Sequence, residues 1–340
     1  MKNKKIKLYI DGSEPKTFLG FWLVRLITTN LPYEFTPTKS LINADLVILR
    51  EKYILNKKHR EILTPQIKKA SDNGTVLIAF TGENRDEKLL KEVCSDFDLC
   101  MAFRPEHEFD YNKYGGPKNY LRYTYGMAIN MDFKRHRLLK SEQGNGQRMN
   151  AYYDKNPSEK GDFFDNSFHT YEKWLNRKDN AAFFAKHTHF PRKEIFDICT
   201  EVLGSAQAYG GYLHNTEVEP MKIPKHEVLP NAKFNICPEN AIGVGYCTEK
   251  LYHAFIHGCI PIYYGNPDPE PNVFNKDRIL FYDPESEDEL KEKIYKIVND
   301  KDYGEEFFAK PVLVDGAEAH IKHKNEQLIE IINNLLKKFE

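Results

Sequence analysis

The sequence predicts an α/β fold of two domains with parallel sheets, and three observations lead to that prediction. The chain has 340 residues, more than the ~250–300 at which a single hydrophobic core usually stops growing. Short apolar runs alternate with amphipathic stretches, as in repeated strand–helix–strand units. One such run, Thr75–Phe80, is almost wholly apolar, which is typical of strands buried on both faces of a parallel sheet.

The first half alternates between strands and helices. In chain order, the pattern predicts a strand at 6–10, a helix at 18–30, a strand at 44–49, a helix at 56–70, and strands at 75–80 and 98–103. Residues 140–178 are polar and have little periodicity, which indicates a loop between domains. We therefore expect a first domain at 1–155 and a second at 156–318.

The second half repeats this alternation. It predicts a strand at 181–186, a helix at 192–203, a strand at 233–237, a helix at 249–257 and a strand at 259–264. Residues 319–340 form a separate amphipathic tail. One stripe of that tail carries apolar residues at 328, 331, 332, 335 and 336, so we expect a helix that docks back on the body of the protein.

Composition excludes several classes of protein. Lys and Arg number 49 against 50 Asp and Glu, so no basic field favours binding to nucleic acid. None of the six cysteines has the spacing of a zinc or redox site, which favours buried, reduced thiols. The N-terminal apolar run stops at Asp11, and no stretch reaches the ~20 apolar residues of a membrane span. We expect a cytoplasmic protein. Peripheral association with the inner membrane is left open, and so is the oligomeric state.

Residues 233–265 are the most informative stretch, because they form one strand–loop–helix–strand unit. Thr248 is the predicted N-cap of its helix, and Gly258 lies just past the predicted end. In open α/β sheets, ligands bind at the carboxyl ends of strands, where helix N-termini present free N–H groups to anions. The unit therefore predicts a site for a phosphate group.

Lys250 supports that prediction. A lysine in the first turn opposes the helix dipole unless a negative group lies nearby, and a bound diphosphate would supply one. The alternative is that Lys250 extends into solvent. Gly243 and Gly245 would allow close approach of the backbone, although the loop matches neither a P-loop nor a G-x-G-x-x-G motif.

Three motifs in this stretch resemble the donor-binding signature of the α1,3/4-fucosyltransferase family. They are Phe-Asn-Ile-Cys-Pro-Glu-Asn (234–240), Gly-Tyr-Cys-Thr-Glu-Lys (245–250) and Ile-Pro-Ile-Tyr-Tyr-Gly-Asn-Pro (260–267). The resemblance implies a GT-B fold of two facing Rossmann-like domains. It also implies inverting transfer of L-fucose from GDP-β-L-fucose to a GlcNAc- or Glc-containing glycan, through an α1,3 or α1,4 linkage.

The same resemblance assigns the site residues. It places Glu249 on the ribose and Lys250 on the phosphates, and it implies that Glu239, Asn240 and Tyr246 line the donor pocket.

Two further segments extend the resemblance. Phe80-Thr-Gly-Glu-Asn84 resembles the turn that supplies the catalytic base, which would be Glu83. Residues 183–196 are similar to the segment that supplies an arginine to the pyrophosphate. Counting from Pro191 puts that position on Lys193, while Arg192 is adjacent and suits a bidentate phosphate contact. We favour Arg192 and keep Lys193 as the alternative.

The resemblance implies no essential cofactor, and for a divalent cation at most a stimulating role. Acceptors in lipopolysaccharide or of the Lewis-antigen type are expected. His253 and His257 have a zinc-compatible spacing but no third ligand, and Asp268 and Glu270 only superficially echo a manganese-binding acidic pair. The competing hypotheses are a transferase that uses another GDP-sugar and a non-catalytic module that binds nucleotides or glycans.

Overall fold

The chain divides into two compact units in this computed structural model. The residues described are 4–11, 22–50, 53, 56–82, 95–106, 119–124 and 170–340. The described residues up to 124, together with 321–340, belong to the first unit, and residues 170–320 belong to the second. The predicted domain boundary near residue 155 lies outside the described residues.

Among its described residues, the first unit has six strands and two helices before the C-terminal segment. In chain order these are β1 (Lys4–Ile10), α1 (Trp22–Asn30), β2 (Tyr33–Pro37), β3 (Leu46–Leu49), α2 (Lys57–Asp72), β4 (Val76–Phe80), β5 (Leu99–Ala102) and β6 (Asn119–Arg122). The strands form one sheet in the order β2-β1-β3-β4-β5-β6, and every pair is parallel.

The second unit has a five-stranded sheet. Its elements are α3 (Tyr171–Leu175), β7 (Asp179–Phe183), α4 (Arg192–Leu203), β8 (Gln207–Ala208), α5 (Lys225–Val228), β9 (Ala232–Ile236), α6 (Glu249–Ile256), β10 (Ile260–Tyr263), β11 (Leu280–Phe281), α7 (Glu287–Asn299), α8 (Lys301–Ala309) and α9 (Ala317–Leu336), the last of which continues into the first unit. The sheet order is β11-β10-β9-β7-β8, again with parallel pairs throughout.

The strands of the first sheet send alternate residues into two cores. Ile78 on β4 belongs to one apolar cluster, and its neighbours Leu77 and Ala79 belong to another. This alternation is the two-residue period of a strand covered on both faces. The C-terminal helix α9 covers the face of Ile78 with Leu328, Ile332 and Leu336, all fully buried, and the predicted stripe residues Ile331 and Leu335 pack beside them.

Helix α6 ends in a glycine-terminated cap. Gly258 has a φ of 70°, and its N–H donates to the carbonyl of Phe255 at 2.9 Å, while the N–H of Cys259 donates to that of Ala254 at 2.9 Å. These two bonds form a Schellman motif, which needs a residue with positive φ. The predicted end of the helix is therefore correct.

Two predictions from composition can be compared with the described residues. The cysteines in this part of the chain are buried thiols, namely those at 100, 199, 237, 247 and 259. Among the described helices, none combines the length and the apolar character needed to cross a membrane.

Candidate functional site

A pocket opens at the carboxyl edge of the second sheet. Its cavity volume is about 10 Å³, and its lining residues are Phe183, Phe184, Arg192, Lys225, Asn235, Ile236, Cys237, Pro238 and Lys250. Strands β7 and β9 end here, and helices α4 and α6 begin here. Parallel strands bring their carboxyl ends and the following helix N-termini to one edge, so the topology creates this site.

Glu239 is the buried anion of the site. It follows β9, and its N–H donates to the carbonyl of Tyr264 at 2.7 Å, so the β9–β10 pairing holds its backbone. The side chain has no exposed surface. Its Oε1 accepts from the backbone N–H of Thr248 at 2.7 Å, and its Oε2 accepts from Thr248 Oγ1 at 2.8 Å. A buried carboxylate held by this many donors has a fixed orientation.

Lys250 completes this cluster. Its Nζ donates to Glu239 Oε2 at 2.7 Å and to Thr248 Oγ1 at 2.8 Å. Thr248 occupies the predicted N-cap position, but its side chain makes no capping bond to the helix, because the hydroxyl is directed to Glu239. The negative group that offsets the dipole penalty of Lys250 is therefore part of the protein. From the sequence alone, a bound diphosphate is expected in that role.

Arg192 is the second cation, at the first position of α4. It is 6% exposed, and its guanidinium donates to the carbonyl of His187 and, at 2.5 Å, to Asn240 Oδ1. Its Nε is buried and has no hydrogen-bond partner. Burial lowers the pKa of Arg192, and the nearby Glu239 opposes that shift. A buried guanidinium with an unused donor calls for an anion.

Lys193, the alternative to Arg192, lies elsewhere. Its side chain is 56% exposed and forms an ion pair with Asp197 on the same face of α4. That hydrogen bond raises the pKa of Lys193. Of the two adjacent cations, only Arg192 lines the pocket.

Glu249 forms an ion pair with Lys225, which lines the pocket. Lys225 Nζ lies 3.7 Å from Glu249 Oε1 and 3.3 Å from His253 Nδ1. Burial alone would raise the pKa of Glu249, but the nearby charges of Lys225, Lys250 and His253 lower it to about 2. Glu249 therefore stays ionised at neutral pH.

Of the predicted site residues, all except Glu83 lie in the described part of the chain. Tyr246 is 1% exposed, and its N–H donates to the carbonyl of Gly243 at 3.0 Å in the loop before α6. Glu83, the predicted base, lies outside the described residues. Among the residues the structure does describe, no group of three or more His, Cys, Asp or Glu side chains could hold a metal ion.

Lys225 was missed in the sequence. It follows Pro224 in a stretch without a recognised motif. It lies at the site because helix α5, which carries it, precedes β9, and β9 ends at the pocket. The one feature that could have indicated it is its position shortly before a buried strand, and many solvent-exposed lysines have such a position. The roles of Glu239, Asn240, Tyr246, Glu249, Lys250 and either Arg192 or Lys193 toward a donor remain predictions.

Three curated proteins match parts of the chain, whereas no protein-family model matches it. Alpha-(1,3)-fucosyltransferase FucT of Helicobacter pylori is 34% identical over 111 residues, 32% of this chain and 22% of that protein. Alpha-(1,3)-fucosyltransferase B of Drosophila melanogaster is 41% identical over 76 residues, 22% of this chain and 17% of the relative. GDP-fucose protein O-fucosyltransferase 3 of Xenopus tropicalis is 32% identical over 75 residues, 19% of this chain and 16% of that protein. The matches thus span less than a quarter of each relative.

The fold comparison extends over almost the whole chain. A crystal structure of an α1,3-fucosyltransferase superposes with a TM-score of 0.68 at 20% identity, covering 99% of this chain and 91% of the other. A complex of an α1,3-fucosyltransferase with GDP-fucose gives 0.64 at 18% identity, covering 99% and 92%. The predicted fold class, α/β with the GT-B architecture, is confirmed. This chain is similar to α1,3-fucosyltransferases in the sequence of part of its length and in the fold of nearly all of it.

Proposed function

We propose that this protein transfers L-fucose from GDP-β-L-fucose to a hydroxyl of a GlcNAc- or Glc-containing glycan, forming an α1,3 linkage with inversion at the anomeric carbon. The observation that carries the proposal is the pocket in which Arg192 and Lys250 stand at the starts of two helices. The unpartnered, buried Nε of Arg192 in particular suits a phosphate oxygen. The matches to α1,3-fucosyltransferases support fucose as the transferred sugar.

The proposed donor contacts follow from the charges of the site. Arg192 and Lys250 would bind the diphosphate, and the ionised Glu249 would accept hydrogen bonds from the ribose hydroxyls. Asn240 would keep the Arg192 guanidinium in place, and Tyr246 would support the loop around the nucleotide. The already formed bond between Lys250 and Glu239 means that little reorganisation is needed when the donor binds.

The proposed reaction is a single displacement. The carboxylate of Glu83 removes the proton from the acceptor hydroxyl while the oxygen attacks C1 of fucose from the face opposite the phosphate. The C1–O bond to the diphosphate breaks, and its electron pair leaves with GDP. Arg192 and Lys250 offset the charge that develops on that leaving group.

We propose that no metal ion or other cofactor is essential, because protein cations occupy the place where charge develops. A divalent cation would at most stimulate turnover. Activity after exhaustive treatment with EDTA should stay within about twofold of the untreated enzyme, since a stabilising role of an essential metal would be worth orders of magnitude. Complete loss that added Mn²⁺ or Mg²⁺ restores would overturn this part of the proposal.

A thermal-shift comparison of nucleotides tests the donor first. GDP and GDP-fucose should raise the unfolding temperature, and UDP at equal concentration should raise it less. Preferential stabilisation by UDP would remove the assignment of guanine. A shift with GDP-mannose as large as that with GDP-fucose would favour the alternative, a transferase using another GDP-sugar.

The decisive experiment is turnover with mapped products. The protein is incubated with GDP-fucose and separate acceptors, namely LacNAc, lacto-type and lipopolysaccharide-core oligosaccharides, and the new linkage is assigned by NMR. An α1,3 linkage is expected, on a Lewis-type or lipopolysaccharide acceptor. Glu83→Gln should abolish transfer while leaving GDP binding intact. If GDP binds but no acceptor is used, a non-catalytic binding module becomes the better account.

A second candidate shares the donor but uses a polypeptide acceptor. The match to a GDP-fucose protein O-fucosyltransferase favours it. Folded protein domains and their unfolded peptides should therefore be added to the acceptor panel. Fucose on a Ser or Thr hydroxyl, with none on the oligosaccharides, would select this candidate.

We also propose a cytoplasmic location, with peripheral attachment to the inner membrane as the variant to be tested. The buried thiols of the described part suit a reducing compartment. Fractionation of cells that express the native protein should recover it in the cytoplasmic fraction, or in the membrane fraction until a high-salt wash releases it. Recovery from the medium or the periplasm would contradict the proposal.

A further inference from the structure

Lys225 is a third cation on the wall of the pocket that also holds Arg192 and Lys250. It begins the short helix α5, directly after Pro224, and its side chain is 31% exposed. None of the three motifs that resemble a donor signature includes it.

The three cations differ in how firmly the protein holds them. Lys250 has a carboxylate at 2.7 Å and a hydroxyl at 2.8 Å, and Arg192 donates to a carbonyl and an amide oxygen. Lys225 has looser neighbours: a carboxylate oxygen at 3.7 Å, beyond hydrogen-bond distance, and an imidazole nitrogen at 3.3 Å. An ammonium group has three donors, so Lys225 retains capacity for a ligand that enters the pocket.

The charge balance of the site points the same way. Glu239 and Glu249 supply two negative charges against the three positive charges of Arg192, Lys225 and Lys250. Glu239 is hydrogen-bonded to Lys250. Glu249 lies 3.7 Å from Lys225, and binding of a ribose hydroxyl to Glu249 could increase that distance. The five groups together leave one net positive charge, and a diphosphate carries more negative charge than that. Flexible lysines bind phosphate well as point charges.

We propose that Lys225 binds the diphosphate of the donor as a third cation, besides Arg192 and Lys250. This inference rests on the proposed function, because it takes a nucleoside diphosphate as the ligand. The competing explanation is that Lys225 only orients Glu249 and never contacts phosphate. The two explanations differ in how the effect of removing Lys225 depends on the number of phosphates in the ligand.

The test measures the affinities of guanosine, GMP and GDP by calorimetry for the full chain and for Lys225→Met. Loss of one charge-assisted contact should weaken GDP binding by about tenfold or more, with a smaller loss for GMP. Guanosine should stay within about twofold. Lys225→Arg should recover most of the GDP affinity because it keeps the positive charge. In a Glu249→Gln background, Lys225→Met should still weaken GDP binding.

Lys222→Met is the matched control, since Lys222 is an exposed lysine three residues earlier in the chain. It should leave all three affinities unchanged, and the unfolding temperature of each unliganded variant reports on its folding. Unchanged GDP binding in Lys225→Met, or an equal loss for guanosine and GDP, would overturn the assignment of Lys225. If the wild-type chain binds GDP no better than guanosine, the proposed function itself fails, and this result is distinct from a failure of Lys225 alone.

Discussion

The Nζ atom of Lys250 lies 2.7 Å from Oε2 of Glu239, whose side chain has no exposed surface. Glu239 follows the end of β9, and Lys250 lies in the first turn of α6. The pair therefore joins the strand and the helix of one unit at the edge where the pocket opens. Because Thr248 also donates twice to this carboxylate, the arrangement is complete without a ligand.

Removal of Glu239 should destabilise the second unit. Glu239→Ala leaves Lys250 and Thr248 without their common partner, and breaking a buried ion pair typically costs about 3–5 kcal/mol. We expect about 3 kcal/mol, because Lys250 is partly exposed and can find water. Denaturant titration followed by the fluorescence of Trp174, which is buried in this unit, measures the free energy of unfolding in a Trp22→Phe background.

Glu289→Ala is the control for that measurement. Glu289 is 69% exposed on α7 and pairs with Lys293 at 3.7 Å. Exposed pairs of this kind contribute about 0–1 kcal/mol, so the free energy of unfolding should hardly change. Equal losses of unfolding free energy in the two variants would mean that the burial of Glu239 does not determine the loss.

Arg192→Lys separates two adjacent candidates for phosphate binding. A lysine at position 192 keeps the charge but loses the fork that bonds His187 and Asn240, so the affinity for GDP should fall about tenfold or more. Lys193→Ala removes an exposed side chain that pairs with Asp197, and GDP affinity should stay within about twofold. Calorimetry on both variants decides the question, and a larger loss in Lys193→Ala would assign the role to Lys193.

Elements with strong local signals could be predicted from the sequence. Helix α4 runs over the predicted residues 192–203, and the end of α6 matches because Gly258 provides the left-handed conformation that the cap requires. Strand β2 was missed. It lies at the edge of its sheet, and its mixed burial lacks the continuous apolar run of the central strands. Strand β8, only two residues long, gives no periodic signal.

The candidate site could be predicted only in part. Motif spacing located Arg192, Glu239, Asn240, Glu249 and Lys250 along the chain, but it could not reveal that Glu239 bonds Lys250. That contact depends on β9 and α6 meeting at the sheet edge, and the sequence pattern predicts a ligand anion in the same position. Lys225 was not predictable, since its approach to Glu249 depends on the path of the chain from α5 to β9.

Acid should weaken the contribution of Glu249 to stability. The pKa of Glu249 is about 2 in the folded protein against an ordinary value of 4.5, so the stabilisation is fully present above the unfolded value. It is lost progressively as pH falls from 4.5 toward 2. The difference in free energy of unfolding between wild type and Glu249→Gln should shrink as the pH falls from about 4.5 toward about 2.

The same titration with Lys225→Met checks the cause of the shift. Lys225 is the leading charge that lowers the pKa of Glu249, so its removal should bring the folded value closer to the ordinary one. The stabilisation by Glu249 should then be smaller at neutral pH and vary less with acid. A difference that grows as the pH falls would have the wrong sign for a depressed pKa.

Gly210 and Gly211 offer a matched pair of substitutions beside the site. A Cβ on Gly210 would lie 1.9 Å from the carbonyl oxygen of Ala185, a backbone atom that also accepts from the N–H of Tyr212 at 3.0 Å. A Cβ on Gly211 would meet only the carbonyl of Lys186, at 3.5 Å.

Gly210→Ala must therefore push apart the loop after β8 and the chain that follows β7. We expect it to lower the free energy of unfolding by about 2–3 kcal/mol, as overpacking against rigid backbone does. The same displacement would move the chain that leads from Ala185 to Arg192, so GDP affinity should fall as well. Gly211→Ala should be neutral or should stabilise the fold by up to about 1 kcal/mol, since alanine restricts the unfolded chain more than glycine does. If Gly211→Ala cost as much as Gly210→Ala, the contact with Ala185 could not be the reason for either loss.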